Sequence, residues 1–128
     1  MVSKTLVVCL LGMLVAAFAA AGSEEGVVVL TDETFERVHE GVWFVKMYMP
    51  WCPHCKELTP TWAKLAQRTE GRFHVAEVNC ETDKEACAGV EAYPTMLLYV
   101  PGEAEPLSYE GDRTVDELEA FVEERAAL

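Results

Sequence analysis

The sequence predicts an α/β domain built on a central mixed, mostly parallel β-sheet flanked by helices. Three observations carry this. Short apolar runs alternate with segments of helical periodicity, the order that places helices between the strands of one sheet. Val42 to Met49 is apolar except for Lys46, as expected of a strand buried on both faces. After the last long apolar run, Pro101-Gly102 turns the chain into Leu107 to Glu110, and this terminal hairpin adds an antiparallel edge.

The elements follow in order. Val27 to Leu30 reads as a strand, and Thr31-Asp32 supplies capping side chains for a helix carrying Phe35 and Val38. From Cys55 to about Thr69, Leu58, Trp62, Leu65 and Ala66 share one helical face. Pro60 inside that helix removes a backbone hydrogen bond and predicts a kink. Phe73 to Val78 reads as a strand, Asp83 to Ala88 as a short helix and Thr95 to Val100 as another strand. The last helix opens on a capping box, Thr114 and Glu117, and buries Val115, Leu118, Phe121 and Val122. The predicted order is β-α-β-α-β-α-β-β-α, without repeats, low-complexity tracts or linkers.

The first residues read differently. Lys4, the apolar run Leu6 to Phe18 and the small residues Ala19, Ala20 and Ala21 describe a secretory signal peptide, cleaved after Ala21 or Ala19. The run is shorter than the ~20 residues a spanning helix needs. We therefore divide the chain into a leader, 1–21, and one domain, 22–128. Of 128 residues, 107 remain after cleavage, enough to bury about two-thirds of the unfolded surface. Any disulfide then needs an explanation other than small size. The cleaved chain has nine basic and twenty-two acidic residues, a formal charge of −13. That argues against nucleic acid or an anionic membrane surface as partner. It fits solubility in a lumen, with a surface suited to basic clients as the alternative.

Five cysteines are present, and Cys9 leaves with the leader. Cys52, Cys55, Cys80 and Cys87 remain, an even number that points to pairing in an oxidising compartment. Cys52 and Cys55 sit at the start of the predicted second helix, in Trp51-Cys52-Pro53-His54-Cys55-Lys56. Unpaired N–H groups at a helix start favour thiolate over thiol, and the thiolate is the attacking species in disulfide exchange. Cys52 is thus the expected nucleophile, and Cys55, one turn further in, the resolving thiol. A lone Cys-x-x-Cys is also half of many zinc sites, but no second half stands at suitable spacing among His39, His54, His74, Cys80 and Cys87. No metal or organic cofactor is expected.

The run Phe44-Val45-Lys46-Met47-Tyr48-Met49-Pro50-Trp51-Cys52-Pro53-His54-Cys55-Lys56 resembles the active-site strand and helix of the protein disulfide isomerases, which have a thioredoxin-like fold. Gly89-Val90-Glu91-Ala92-Tyr93-Pro94-Thr95 resembles the segment with that family's cis-proline, and Tyr109-Glu110-Gly111-Asp112-Arg113 its last strand and the turn beyond. The resemblance implies that Pro94 is cis and faces the cysteine pair, leaving the preceding backbone free to pair with an extended client. Trp51, Tyr93 and Pro94 are then the client-binding residues. It implies that Arg113 is the family's mobile arginine, which swings toward the buried cysteine. It implies a structural Cys80–Cys87 disulfide; two buried free thiols or a second redox pair are the alternatives.

Two departures matter. Pro53-His54 replaces the usual Gly-His between the cysteines and is similar to the strongly oxidising bacterial periplasmic enzyme of this fold. His54 is expected to donate to the Cys52 thiolate, and stabilising the reduced form makes a disulfide a better oxidant. Family members also carry a buried Glu six residues before the first Cys, paired with a Lys on the next strand. Here Lys46 and Glu77 stand in exchanged places. A lone Lys in such a strand is expensive to bury, so the two are expected to pair, with Glu77 assisting proton transfer at Cys55.

The implied activity is thiol–disulfide exchange at Cys52 and Cys55, biased toward oxidation. The partners are cysteine-containing client proteins, with glutathione or an upstream thiol oxidase to recharge the pair. The rival is a client-binding, chaperone-like module with incidental redox activity. The expected place is the secretory pathway, chiefly the endoplasmic reticulum lumen. Glu124 to Leu128 does not resemble a Lys-Asp-Glu-Leu-type retrieval signal, which leaves secretion as the alternative.

Overall fold

A computed structural model describes residues 26–128. The expected leader, its cleavage point, Cys9 and residues 22–25 lie outside the described residues. Five strands form one sheet: β1 (Val28–Leu30), β2 (Trp43–Tyr48), β3 (His74–Asn79), β4 (Thr95–Tyr99) and β5 (Leu107–Ser108). Their spatial order is β1-β3-β2-β4-β5. The first three are mutually parallel, while β4 runs against β2 and β5 against β4. Among the described strands β4 alone is therefore reversed, and the sheet is mixed with a mostly parallel direction.

Helices α1 (Pro53–Arg68) and α2 (Val115–Arg125) cover one face. Their apolar positions meet Phe44, Val75, Met96 and Leu98 in one buried cluster. Trp62 anchors it: the side chain is fully buried, packs on Phe44, and donates its indole N–H to the Ala76 carbonyl at 2.9 Å. Arg68 and Arg72 reach across to Asp116, Glu119 and Glu123 and tie α1 to α2 at the surface. Thr114 caps α2, accepting from the Glu117 N–H at 3.3 Å.

The opposite face carries a second cluster, Leu30, Val38, Trp43, Val45, Met47, Ala76 and Val78 with Cys80 and Cys87. No α-helix covers it among the described residues. The helix expected after Thr31-Asp32 is a 3-10 helix, Phe35–His39, whose N-cap Thr34 makes no side-chain capping bond. The helix expected over Asp83 to Ala88 is a run of turns. The two segments are bonded to each other. Asp32 accepts from the Ala86 N–H at 2.8 Å, and its own N–H donates to Asp83 Oδ1 at 3.0 Å. The Cys80–Cys87 disulfide closes the same segment. Side-chain carboxylates thus satisfy backbone N–H groups across the fold and tie the two irregular segments together.

The last strand is also shorter than expected. Beyond Ser108 the chain bends so that Tyr109 turns into the core against Phe44 and Phe121, while its hydroxyl donates to the Asp112 carbonyl. Gly111 permits this bend, because a Cβ there would lie 2.6 Å from the Tyr109 hydroxyl.

Candidate active site

Strand β2 ends at Tyr48, and after four residues the chain enters α1 at Pro53, two residues before Cys55, where the helical periodicity begins. Cys52 is the N-cap, in extended conformation, and Pro53 occupies the start of the helix, where its missing N–H costs nothing. The Cys52 sulfur accepts the Cys55 N–H at 3.4 Å, so a thiol does the work usually given to Ser, Thr or Asp. Both thiols are unbonded, with Cys52 and Cys55 only 6% and 3% exposed. Their environments push them apart. Cys52 is held below the ordinary thiol value, first by the hydrogen bond from the Cys55 thiol, then by the backbone N–H groups of Cys55 and His54 and the charge of Arg113; burial opposes these. Burial pushes Cys55 up to about 11, and Cys52's hold on its proton adds to this. The pair is therefore one thiol made easier to ionise and one held protonated.

The turn segment after β3 supplies the facing wall. Tyr93–Pro94 is a cis peptide, Pro94 is buried, and the Cys52 thiol lies 3.5 Å from the Tyr93 carbonyl oxygen. The Tyr93 hydroxyl donates to the Val90 carbonyl at 3.4 Å. Trp51 stands beside the cysteine with 62% of its surface exposed, a large apolar group kept in water. Among the described residues, no group of three or more His, Cys, Asp or Glu side chains is placed to hold a metal ion.

Residues 26–124 match the thioredoxin family model. The chain belongs to the thioredoxin family. It is 38% identical to protein disulfide isomerase-like 5-1 of Oryza sativa subsp. japonica, across 97% of this chain and 87% of that protein. It is 43% identical to protein disulfide-isomerase 5-1 of Arabidopsis thaliana, across 77% of this chain and 71% of that one. Among solved structures, the J-Trx1 fragment of ERdj5 superposes with a TM-score of 0.75 at 32% identity, covering 80% of this chain and 51% of the fragment.

In this thioredoxin-family site the remaining expected residues are placed as follows. Lys46 and Glu77 face each other in register on β2 and β3 and form an ion pair of 3.2 Å, 2% and 5% exposed. Strand alternation points both toward α1, alongside Phe44 and Val75. The charge of Lys46 slightly favours the Cys55 thiolate against the larger effect of burial, and the charge of Glu77 adds to burial in raising the Tyr48 hydroxyl. His54 does not turn its ring to Cys52. Its Nδ1 lies 3.4 Å from Glu57 Oε2, both side chains are well exposed, and only the His54 backbone N–H serves the thiolate. Arg113 lines one cleft with His54, Glu57, Leu58 and Thr61, and its charge helps to hold Cys52 low.

Cys80 and Cys87 are disulfide-bonded, with Cα atoms 5.6 Å apart and Cys87 Sγ 3.7 Å from Met47 Sδ. Three residues of the site escaped the sequence reading. Tyr48, whose ring lies 5.2 Å from Lys46 Nζ, was findable from the alternation Phe44, Lys46, Tyr48. Glu57 was findable three residues after His54. Asp32 left no local signal, because its partners Asp83 and Ala86 lie some fifty residues away.

Proposed function

We propose that this chain is a thiol–disulfide oxidoreductase of the secretory pathway, acting on cysteine-containing client proteins through Cys52 and Cys55. The observation that carries the reading is the divergence of two thiols at one helix start, the activated one facing the Tyr93–Pro94 wall. In the reducing direction the Cys52 thiolate attacks a client disulfide, forming a Cys52–client bond and releasing one client thiolate. Cys55 then attacks Cys52, the mixed disulfide breaks, the second client thiolate leaves, and the pair is oxidised by two electrons. Oxidation of a client dithiol is the reverse.

The relatives' names, protein disulfide isomerase-like and protein disulfide-isomerase, support this chemistry. Trp51, Tyr93 and Pro94 receive the client, and glutathione or an upstream thiol oxidase recharges the pair. The leader read over residues 1–21 supports delivery to the endoplasmic reticulum lumen, and the Cys80–Cys87 bond supports an oxidising compartment. Stabilisation of the Cys52 thiolate favours the reduced enzyme, so the oxidised pair is a ready oxidant. The expected reduction potential is at or above about −180 mV, the value typical of isomerases. Glutathione redox titration, run beside refolding of a reduced, denatured client, tests both parts. A potential near thioredoxin's, about −270 mV, would remove the oxidising bias. A Cys52→Ser/Cys55→Ser variant retaining full refolding activity would replace the enzyme with a binding module.

A further inference from the structure

We infer that Glu57 is a positioning residue: it holds the His54 ring away from Cys52 and so tempers the oxidising strength of the pair. The inference rests on the oxidoreductase reading and deepens it at the same site.

The geometry follows from the first turns of α1. Cys52 is the N-cap, His54 stands two residues on, and Glu57 follows His54 at i,i+3. An N-cap side chain lies against the backbone of the second and third helical residues, so the root of the His54 side chain is beside the Cys52 sulfur. Residues three apart are also neighbours on a helix surface. The imidazole thus has one acceptor on its N-terminal side, Cys52, and another on its C-terminal side, Glu57. It takes the second: Nδ1 lies 3.4 Å from Glu57 Oε2. No packing encloses the ring, since the two side chains are 71% and 75% exposed, and its orientation follows the carboxylate.

The choice has a chemical consequence. Turned to Cys52, an imidazolium would donate to the thiolate and balance its charge, which favours the reduced enzyme and makes the disulfide a stronger oxidant. Turned to Glu57, the same ring gives its N–H and its charge to a carboxylate instead. Arg113 enters the same cleft from the loop before α2, with Leu58 and Thr61 completing the walls, so it is the second cation that Glu57 faces. The Pro53-His54 sequence therefore promises more oxidising strength than the folded site delivers. An exposed ion pair is weak, so the hold on the ring is partial and its removal has a modest effect.

A double-mutant cycle tests this in wild type, Glu57→Ala, His54→Ala and Glu57→Ala/His54→Ala. Both positions are exposed on a helix, and alanine there preserves the fold. Two quantities are read: the pH midpoint of Cys52 alkylation by iodoacetamide, and the equilibrium constant with glutathione. Glu57→Ala is expected to lower the midpoint by about half a unit and to shift the glutathione equilibrium about threefold toward the reduced enzyme, about 14 mV in potential. In the His54→Ala background the same change is expected to shift neither. An unchanged midpoint in Glu57→Ala overturns the inference. So does an equal shift without His54, which would mean that the carboxylate acts through its own field or through Arg113. A wild type that does not exchange with glutathione refutes the oxidoreductase reading instead, and the alkylation midpoints still decide the role of Glu57.

Discussion

On one face of the sheet two regular helices lie side by side over Phe44, Leu98 and Leu118. On the other, a 3-10 helix and the turns between Cys80 and Tyr93 cover Trp43, Val45 and Met47. The helical face is held by periodic apolar side chains and by arginines reaching across the helix pair. The irregular face is held by one covalent bond and by Asp32, whose carboxylate accepts the Ala86 N–H and whose own N–H donates to the Asp83 carboxylate in a distant loop. The active site lies on the seam: the regular half delivers Cys52 and Cys55, and the irregular half delivers Tyr93 and Pro94. A reactive thiol benefits from a helix start, whereas a surface for extended clients needs backbone that no helix has consumed.

Breaking each half should have unequal cost. Trp62→Ala removes the largest anchor of the helical face together with its bond to Ala76, and should cost about 3–5 kcal/mol in urea unfolding. Cys80→Ala/Cys87→Ala opens a short loop, and chain entropy alone gives about 2.5 kcal/mol. This variant sharpens the comparison further if its exchange rate falls while α1 stays protected from hydrogen exchange. Asp32→Ala should cost about 1–2 kcal/mol, because the Ala86 N–H loses its acceptor. Thr114→Ala, the matched change at the α2 cap, should cost about 1 kcal/mol. Equal effects of Asp32→Ala and the disulfide variant on exchange would show that the two staples act as a unit.

The smallest expected effect is acid sensitivity at the α1–α2 surface. The Arg72 hydrogen bond, helped by Arg68, holds Glu119 below the ordinary carboxylate range. Its folded value is depressed, so its contribution is complete above the unfolded value and is lost as pH falls through the folded one. Glu119→Gln should flatten the acid limb of a stability profile slightly, and added salt should do the same.

The regular half was legible because its information is local. Leu58, Trp62, Leu65 and Ala66 repeat at helical spacing, and Lys46 stands out inside an apolar strand whose register then brings it to Glu77. The resemblance around Cys52 and Pro94 located the site. What the sequence hid was non-local or depended on rotamers. Asp32 bonds across the fold to the turns after Cys80, and no window of residues contains both partners. The choice of His54 between Cys52 and Glu57 depends on where one exposed ring points.

The division of labour between the two thiols is tested most directly by alkylation of the reduced protein with iodoacetamide across pH, with the modified cysteine mapped by mass spectrometry. Cys52 should react first, with a midpoint below the ordinary thiol range, while Cys55 stays protected until pH approaches about 11. Equal modification of Cys52 and Cys55 with a common midpoint near the ordinary cysteine value would contradict the account.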